Sequence, residues 1–198
     1  MIDIKIIGIG GHSRSLASNF NGNGFNIVGY YDDNGSNEEF LLEGIKFLGF
    51  FDDINWNDKL VIGIGDNIKR RFFYEKIMTV TPNLIHRTAI INNSSINIGS
   101  QIFPKSYIGV NSIIGSNCII NTAAVIEHDS VILDHCHISV GAIICGNVSV
   151  GKNCFIGAGA IIKDNVTICN NVTIGAGSIV INNIDEEGTY VGCPAKKI

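Results

Sequence analysis

Three adjacent polar residues, Glu127-His128-Asp129, stand in the most apolar and regular part of this 198-residue chain, where the core has no need of them. An imidazole flanked by carboxylates is suited to general-base work. One acid holds the ring in a single tautomer and supports the imidazolium that forms on proton uptake. Acyl transfer from a thioester to an amine or hydroxyl needs such a base, together with a donor for the developing oxyanion. The plainer reading is a solvated histidine at a corner of the chain. His135 and His137 follow closely, and with His128 their HxH spacing raises a metal site, although no acid is clearly placed to complete it.

A second group of candidates lies near the N-terminus. Gly8-Ile9-Gly10-Gly11-His12 follows a strand-like run and opens a helix-like one. That context favours a phosphate held by backbone N–H groups at a helix N-terminus; a tight strand-to-helix turn is the alternative, since Ser13 takes the last glycine place of GxGxxG. Asp32-Asp33 ends a second strand, at the edge where open α/β sheets bind ligands, and is otherwise a pair of turn residues. Gly63-Ile64-Gly65-Asp66-Asn67 repeats the pattern on a third strand.

The elements that position these groups have two textures. From Ile90 to Val180 every sixth residue is isoleucine or valine. Neither a 3.6-residue helix nor a two-residue strand alternation needs that period; a solenoid of short strands, each setting one aliphatic side chain into a central core, does. The position four residues on is small or modest, from Ser94 and Ser100 through Cys118, Cys136 and Cys154 to Ser178, as a tight corner requires. Gly99, Gly109, Gly115, Gly151, Gly157 and Gly175 are read as permitting the turn backbone. Residues 1–80 differ. Strands are expected at 4–9, 25–31 and 60–65, and helices at 14–21 and 68–78, the second with three basic residues near its start. This order predicts a small parallel α/β sheet of Rossmann type. Thr81-Pro82-Asn83 punctuates the join, giving domains at 1–82 and 83–198.

Composition bounds the function. Apolar residues at 45% and charged residues at 16% exclude a disordered chain. The net charge of −4 argues against nucleic acid or an anionic membrane as the main partner, while leaving a local anion site open. No stretch is apolar for long enough to span a bilayer, and the first residues lack the layout of a signal peptide, so a cytoplasmic protein is expected. None of the six cysteines forms a CxxC pair. His86, at the join, is read as structural.

These residues resemble a known family, the bacterial sugar O/N-acyltransferases that include sialic acid O-acetyltransferases and UDP-4-amino-sugar N-acetyltransferases. The resemblance runs through Gly8-x-Gly10-Gly11-His12, Asp32-Asp33, Asn83-Leu84-Ile85-His86, Asn121-Thr122, Glu127-His128-Asp129, His137-Ile138-Ser139-Val140-Gly141, Gly146-Asn147-Val148 and Val191-Gly192-Cys193-Pro194-Ala195-Lys196. It implies a left-handed parallel β-helix of three hexapeptides per coil, so that Cys118, Cys136 and Cys154 stack inward and Gly146 lies beside His128. It implies His128 as general base oriented by Asp129, although the related enzymes carry glutamate there. It implies Asn121, His137, Gly146 and Ala176 along acetyl-CoA, and Gly10, Gly11, His12, Asp32 and Asp33 around a nucleotide-linked amino sugar. A homotrimer using acetyl-CoA as co-substrate, without a metal, is the implied assembly. Direct attack on the thioester is the simplest route; Cys145, beside Gly146, is the one thiol near enough to form an acyl-enzyme. O-acetylation of a sialic acid or capsule sugar keeps the class and moves the acceptor. A γ-type carbonic anhydrase leaves the α/β half unexplained, and a noncatalytic nucleotide-sugar sensor leaves residues 127–129 without work.

Overall fold

The run Ile2–Ile7 forms strand β1, and its alternate apolar side chains Ile4 and Ile6, with Ile7, are buried. Gly8, at φ 95°, then turns the chain out of the sheet. Helix α1 spans Gly11–Phe20, three residues earlier than expected, because Gly10 is its extended N-cap and Gly11 already lies in the first turn. It ends where Asn21 becomes extended and Gly22 takes φ 78°. Strand β2 (Phe25–Tyr31) matches the expectation; β3 (Lys46–Gly49) and a 3-10 turn at Phe51–Asp53 were not foreseen. Strand β4 stops at Ile62 (Leu60–Ile62), and helix α2 runs over Asn67–Tyr74, shorter than expected at its end. Its start is set by Asp66, whose carboxylate accepts the Lys69 backbone N–H at 2.8 Å, a standard N-cap.

The computed structural model describes residues 1–35, 45–79 and 81–198. They form two units, Met1–Pro82 and Asn83–Ile198. In the first, the sheet order is β3-β2-β1-β4 with every pairing parallel. The chain builds outward from β1 through β2 to β3, then returns to place β4 on the other side of β1. The ends of β1 and β4 therefore flank a topological switch point, where open α/β sheets leave a crevice for a ligand.

In the second unit the strands are short, mostly two residues, and partners lie eighteen residues apart, as in Ile114↔Ile132, Ile120↔Ile138 and Ile126↔Ile144. They form three sheets, parallel except for the last pair of the first, where Tyr190 and Val191 run antiparallel to Lys197 and Lys196. The first includes Gln101–Ile102, Ile119–Ile120, His137–Ile138 and Phe155–Ile156; the second Tyr107–Ile108, Val125–Ile126, Ile143–Ile144 and Ile161–Ile162; the third Ile113–Ile114, Val131–Ile132 and Ser149–Val150. The unit is a left-handed parallel β-helix built on hexapeptides. Its inward column from Ile102 to Val180 is buried throughout, as is the small-residue column from Ser100 to Ser178. Each buried isoleucine is worth roughly 1.5–3 kcal/mol against its exposed state. The stacked Cys118, Cys136 and Cys154 are free thiols facing the core, and the Cys136 Sγ donates to the Gly151 carbonyl at 2.9 Å.

Two expectations about this half are corrected. Ile90 does not start the inward column: Ile91 pairs with Ile108, and Ile90 is 56% exposed, because the first coil is one residue short. Nor do the glycines after the aliphatic residue supply the turn. The left-handed corner falls three residues after it and is most often asparagine, as at Asn111, Asn117, Asn147, Asn153, Asn165 and Asn171, whose side chains tolerate that backbone. Gly99, at φ 75°, belongs to this corner column. Gly109, Gly115, Gly151 and Gly157 are needed for clearance instead: a Cβ at any of them would lie 2.5–2.6 Å from backbone atoms of the next coil.

Candidate active site

His128 projects from the corner between the second and third sheets, two residues beyond the buried Ile126. Asp129 takes the left-handed corner position, at φ 59°, in line with Asn111, Asn147 and Asn165. An aspartate satisfies that backbone as asparagine does and adds a charge. Its Oδ2 lies 2.8 Å from His128 Nδ1, and its Oδ1 accepts from Asn111 Nδ2 at 3.1 Å. The His128 and Asn111 donors hold the Asp129 carboxyl below the usual carboxylate range. With Nδ1 facing a carboxylate, the proton sits on Nδ1 and Nε2 carries the lone pair.

Gly146 lies one coil along, beside that nitrogen. A Cβ there would come 2.6 Å from His128 Cε1 and 2.7 Å from Nε2. The glycine is thus required by the position of the ring rather than by its own backbone. Cys145, half-buried next to it, has its thiol pushed up by burial and by the charges of Asp164 and Glu127. This disfavours the thiolate that an acyl-enzyme would need.

The dyad yields a test by acid titration. Asp129 has a depressed folded-state value, so it stabilises the fold above the unfolded carboxylate range, and that contribution is lost as pH falls through the folded value. Asp129→Asn keeps a residue suited to the corner. Urea denaturation of both proteins should show a stability difference that shrinks as pH falls below about 4. A difference that grows in acid would contradict the assigned hydrogen bonds to Asp129.

Asn121 and His137 form a separate pair. The Thr122 N–H donates to Asn121 Oδ1 at 2.8 Å, which orients the amide so that Nδ2 meets His137 Nε2 at 3.1 Å. His137 is 7% exposed and stands edge-on to Phe155. Ala176 continues the same edge, in register with Thr122, Val140 and Ala158, and the next residues Gly141, Gly159 and Gly177 take left-handed backbone. Asn121, His137 and Ala176 thus line the edge between the first and second sheets, while His128, Asp129 and Gly146 line the edge between the second and third. Within one chain the two groups are not brought together. The three histidines do not converge either, since His135 Nδ1 pairs with Asn117. Among the described residues no three of His, Cys, Asp and Glu are grouped to hold a metal, and no helix is long and apolar enough to cross a membrane. His86 Nδ1 is engaged locally by Thr88.

In the first unit a cavity of about 640 Å³ opens at the switch point. Gly10, Gly11, His12 and Asp32 line it; Asp33 does not, and its Oδ1 accepts the Phe51 N–H at 2.9 Å. Asp32, 5% exposed, accepts from the Ile9 N–H and braces the glycine turn. Ser13 Oγ sits 2.7 Å from both the Gly8 and Gly63 carbonyls and joins the two strand ends. Helix α1 starts without a side-chain cap or an acid in its first turn, leaving its N–H groups and positive dipole end at the cavity. The sequence reading missed Asn34, Phe51, Lys69 and Phe72 in the lining. Only the basic cluster at the start of α2 signalled any of them.

This combination of a Rossmann-like parallel-sheet unit and a hexapeptide β-helix defines a class, the sugar acyltransferases. Residues 3–77 match the PglD N-terminal domain, and residues 129–164 and 147–182 match the bacterial transferase hexapeptide repeats. Together they place the chain among the bacterial sugar O/N-acyltransferases. The acetyltransferase domain of PglB from Neisseria gonorrhoeae is similar over the whole of both chains, with 27% identity and a TM-score of 0.92. Its complex with acetyl coenzyme A has 28% identity and a TM-score of 0.89, covering 99% of this chain and 98% of that one. PerB from Caulobacter crescentus, solved with CoA and GDP-perosamine, has 27% identity and a TM-score of 0.86 over 98% of this chain and 96% of its own.

Proposed function

We propose that the protein transfers the acetyl group of acetyl-CoA to the amino group of a sugar linked to a nucleoside diphosphate. The observation that carries this reading is the Asp129–His128 dyad with its basic nitrogen set over Gly146. The relatives solved with acetyl coenzyme A, and with CoA and GDP-perosamine, support the two substrate classes.

His128 Nε2 takes a proton from the amine as nitrogen attacks the thioester carbonyl. The tetrahedral oxyanion accepts a hydrogen bond from the Gly146 N–H, where the absence of a side chain permits close approach. Collapse forms the amide and breaks the C–S bond, and the imidazolium returns its proton to the CoA thiolate. Asp129 keeps the ring oriented throughout. Asn121 and His137 hold the thioester end of CoA, and Ala176 with its small neighbours makes a smooth edge for the pantetheine arm. In the first unit, the diphosphate lies against the α1 N-terminus and Lys69, with Gly10, Gly11 and His12 around it. Asp32 and Asp33 hold the glycine turn and the turn at Asn34 in place.

The proposed assembly is a homotrimer packed through the second sheet. The outward side chains there, Tyr107, Val125, Ile143, Ile161 and Ile179, form an apolar stripe that is partly exposed in the single chain. Threefold packing on that sheet sets the Asn121–His137 edge of one protomer against the His128 edge of the next, completing a site the single chain leaves divided. Both substrates belong to the cytoplasm, and the enzyme is assigned there.

The test is CoA release from acetyl-CoA against UDP-, dTDP- and GDP-linked 4-amino sugars and sialic acid, with product masses recorded. A gain of one acetyl group on a nucleotide amino sugar is the expected result. Gain on sialic acid alone would move the acceptor to a hydroxyl, and no release across the panel with folded, trimeric protein would overturn the reading.

A further inference from the structure

The carboxylate best placed by sequence to touch the nucleoside is Asp32, at the end of β2. Its bonds show it turned to other work. Oδ2 accepts the Ile9 N–H at 2.8 Å, and Oδ1 accepts both the backbone N–H and the side-chain Nδ2 of Asn34, each at 2.8 Å. Three donors on a buried carboxylate make a brace between the glycine turn and the turn after β2.

Asn34 is the outer member of that brace and lines the cavity. Since its amide nitrogen is held on Asp32, its orientation is set, and Oδ1 is the atom it can offer a ligand. The turn that carries Asn34 is held in place by the neighbouring residue. Asp33 Oδ1 accepts the Phe51 N–H at 2.9 Å, tying the turn to the aromatic wall. That wall runs from Phe51 to Phe73, with ring centroids 4.8 Å apart, and on to Phe72 at 5.3 Å. All three residues line the cavity; Phe72 is 53% exposed, with Lys76 Nζ 4.0 Å from the centre of its ring. The anionic end lies elsewhere, at the glycine turn and Lys69. Asn34 and these phenylalanines thus line one cavity, giving a heterocycle bound there both a fixed acceptor and an apolar wall.

We infer that Asn34 Oδ1 reads the edge of the ligand's base and selects one whose ring nitrogen carries a hydrogen. This rests on the nucleotide reading proposed above. Uracil and thymine present N3–H, and guanine presents N1–H, to an acceptor. Cytosine N3 and adenine N1 present a lone pair, which faces the oxygen of Asn34 without a proton between them. Stacking on the aromatic wall is available to every base, so the discrimination comes from this edge. Asp32 is a positioning residue for both the acceptor and the phosphate turn.

The experiment is calorimetric titration of the whole protein with UDP against CDP and GDP against ADP, two pairs that each share ribose and diphosphate. Within the pair that binds more tightly, the N–H base should be favoured on the order of tenfold. Asn34→Leu should bring that ratio to about one. Asn34→Ala serves as a second variant, since the Asn34 backbone N–H still reaches Asp32 in both. Asp32→Asn keeps an oxygen for Asn34 Nδ2 and loses the acceptor for the Ile9 N–H, so it should weaken all four nucleotides together and leave the ratio in place. Retention of the ratio in both Asn34 variants would overturn the inference, as would an equal loss on both members of a pair, which would put Asn34 on the ribose. Removal of the ratio by Asp32→Asn alone would return base recognition to Asp32. If the wild-type protein binds none of the four, the nucleotide reading fails and this inference with it; if it binds, that reading stands and the ratio alone decides.

Discussion

Replacing His128 with alanine is expected to lower kcat for CoA release by about 10²–10⁴-fold, the contribution typical of a positioned general base. The fold should be untouched, for reasons visible in the corner itself. The imidazole is 57% exposed, and the buried residue that anchors the corner is Ile126. The backbone bonds that join this coil to its neighbours, Asp129 N–H to the Val110 carbonyl and Asn147 N–H to the His128 carbonyl, do not involve the side chain. A variant that melts like the wild type and binds CoA like it, yet has lost turnover, places the loss in the chemical step. Normal turnover in that variant would remove His128 from the mechanism and leave the dyad as a solvated corner.

Gly146→Ala is expected to approach the same loss although it removes no functional group. A methyl at that position would stand 2.6–2.7 Å from two atoms of the His128 ring, well inside contact distance. The ring is exposed and tied down only through Nδ1, so the clash is relieved by moving the base away from Asp129 rather than by opening the coil. Displacement of a reacting group by about 1 Å costs on the order of 10²-fold. The effect should fall on kcat with little change in melting temperature. Combining Gly146→Ala with His128→Ala should add almost nothing to the His128→Ala loss, because the glycine acts through the ring and through a donor aimed at the same intermediate. Independent, multiplying losses would show that Gly146 matters for a reason other than the position of His128.

The β-helix was legible because its repeat is local. Each hexapeptide carries its own inward aliphatic residue and its own small corner residue, so the pattern survives without knowledge of any distant contact. The two errors in reading it arose where neighbouring coils meet. Gly109 and Gly151 look like turn residues in one dimension, and only the next coil, whose backbone a Cβ would strike, reveals them as clearance. The short first coil likewise became visible only through the pairing of Ile91 with Ile108. In the first unit, β2 was read to the residue. The start of α1 was read late because two glycines there serve as cap and first turn.

The residue types and spacings by themselves determined the coil core, the corner histidine and its acidic neighbour, since His128 and Asp129 are adjacent in the chain and need no fold to meet. Once a coil of eighteen residues is granted, the pairing of Gly146 with His128 follows as well. The tertiary structure alone decided the contacts between groups far apart in sequence. It turned Asp32 toward the Ile9 N–H, twenty-three residues away, and so made it a brace. It brought Lys69 and Phe72 of α2 to the glycine turn after β1 and set the Asn121–His137 edge apart from the His128 edge. Local patterns record which face a side chain presents to its own element. Which distant donor then satisfies a buried carboxylate, and which helix closes a crevice, depends on strand order, and the placing of β4 beside β1 is a property of the whole sheet.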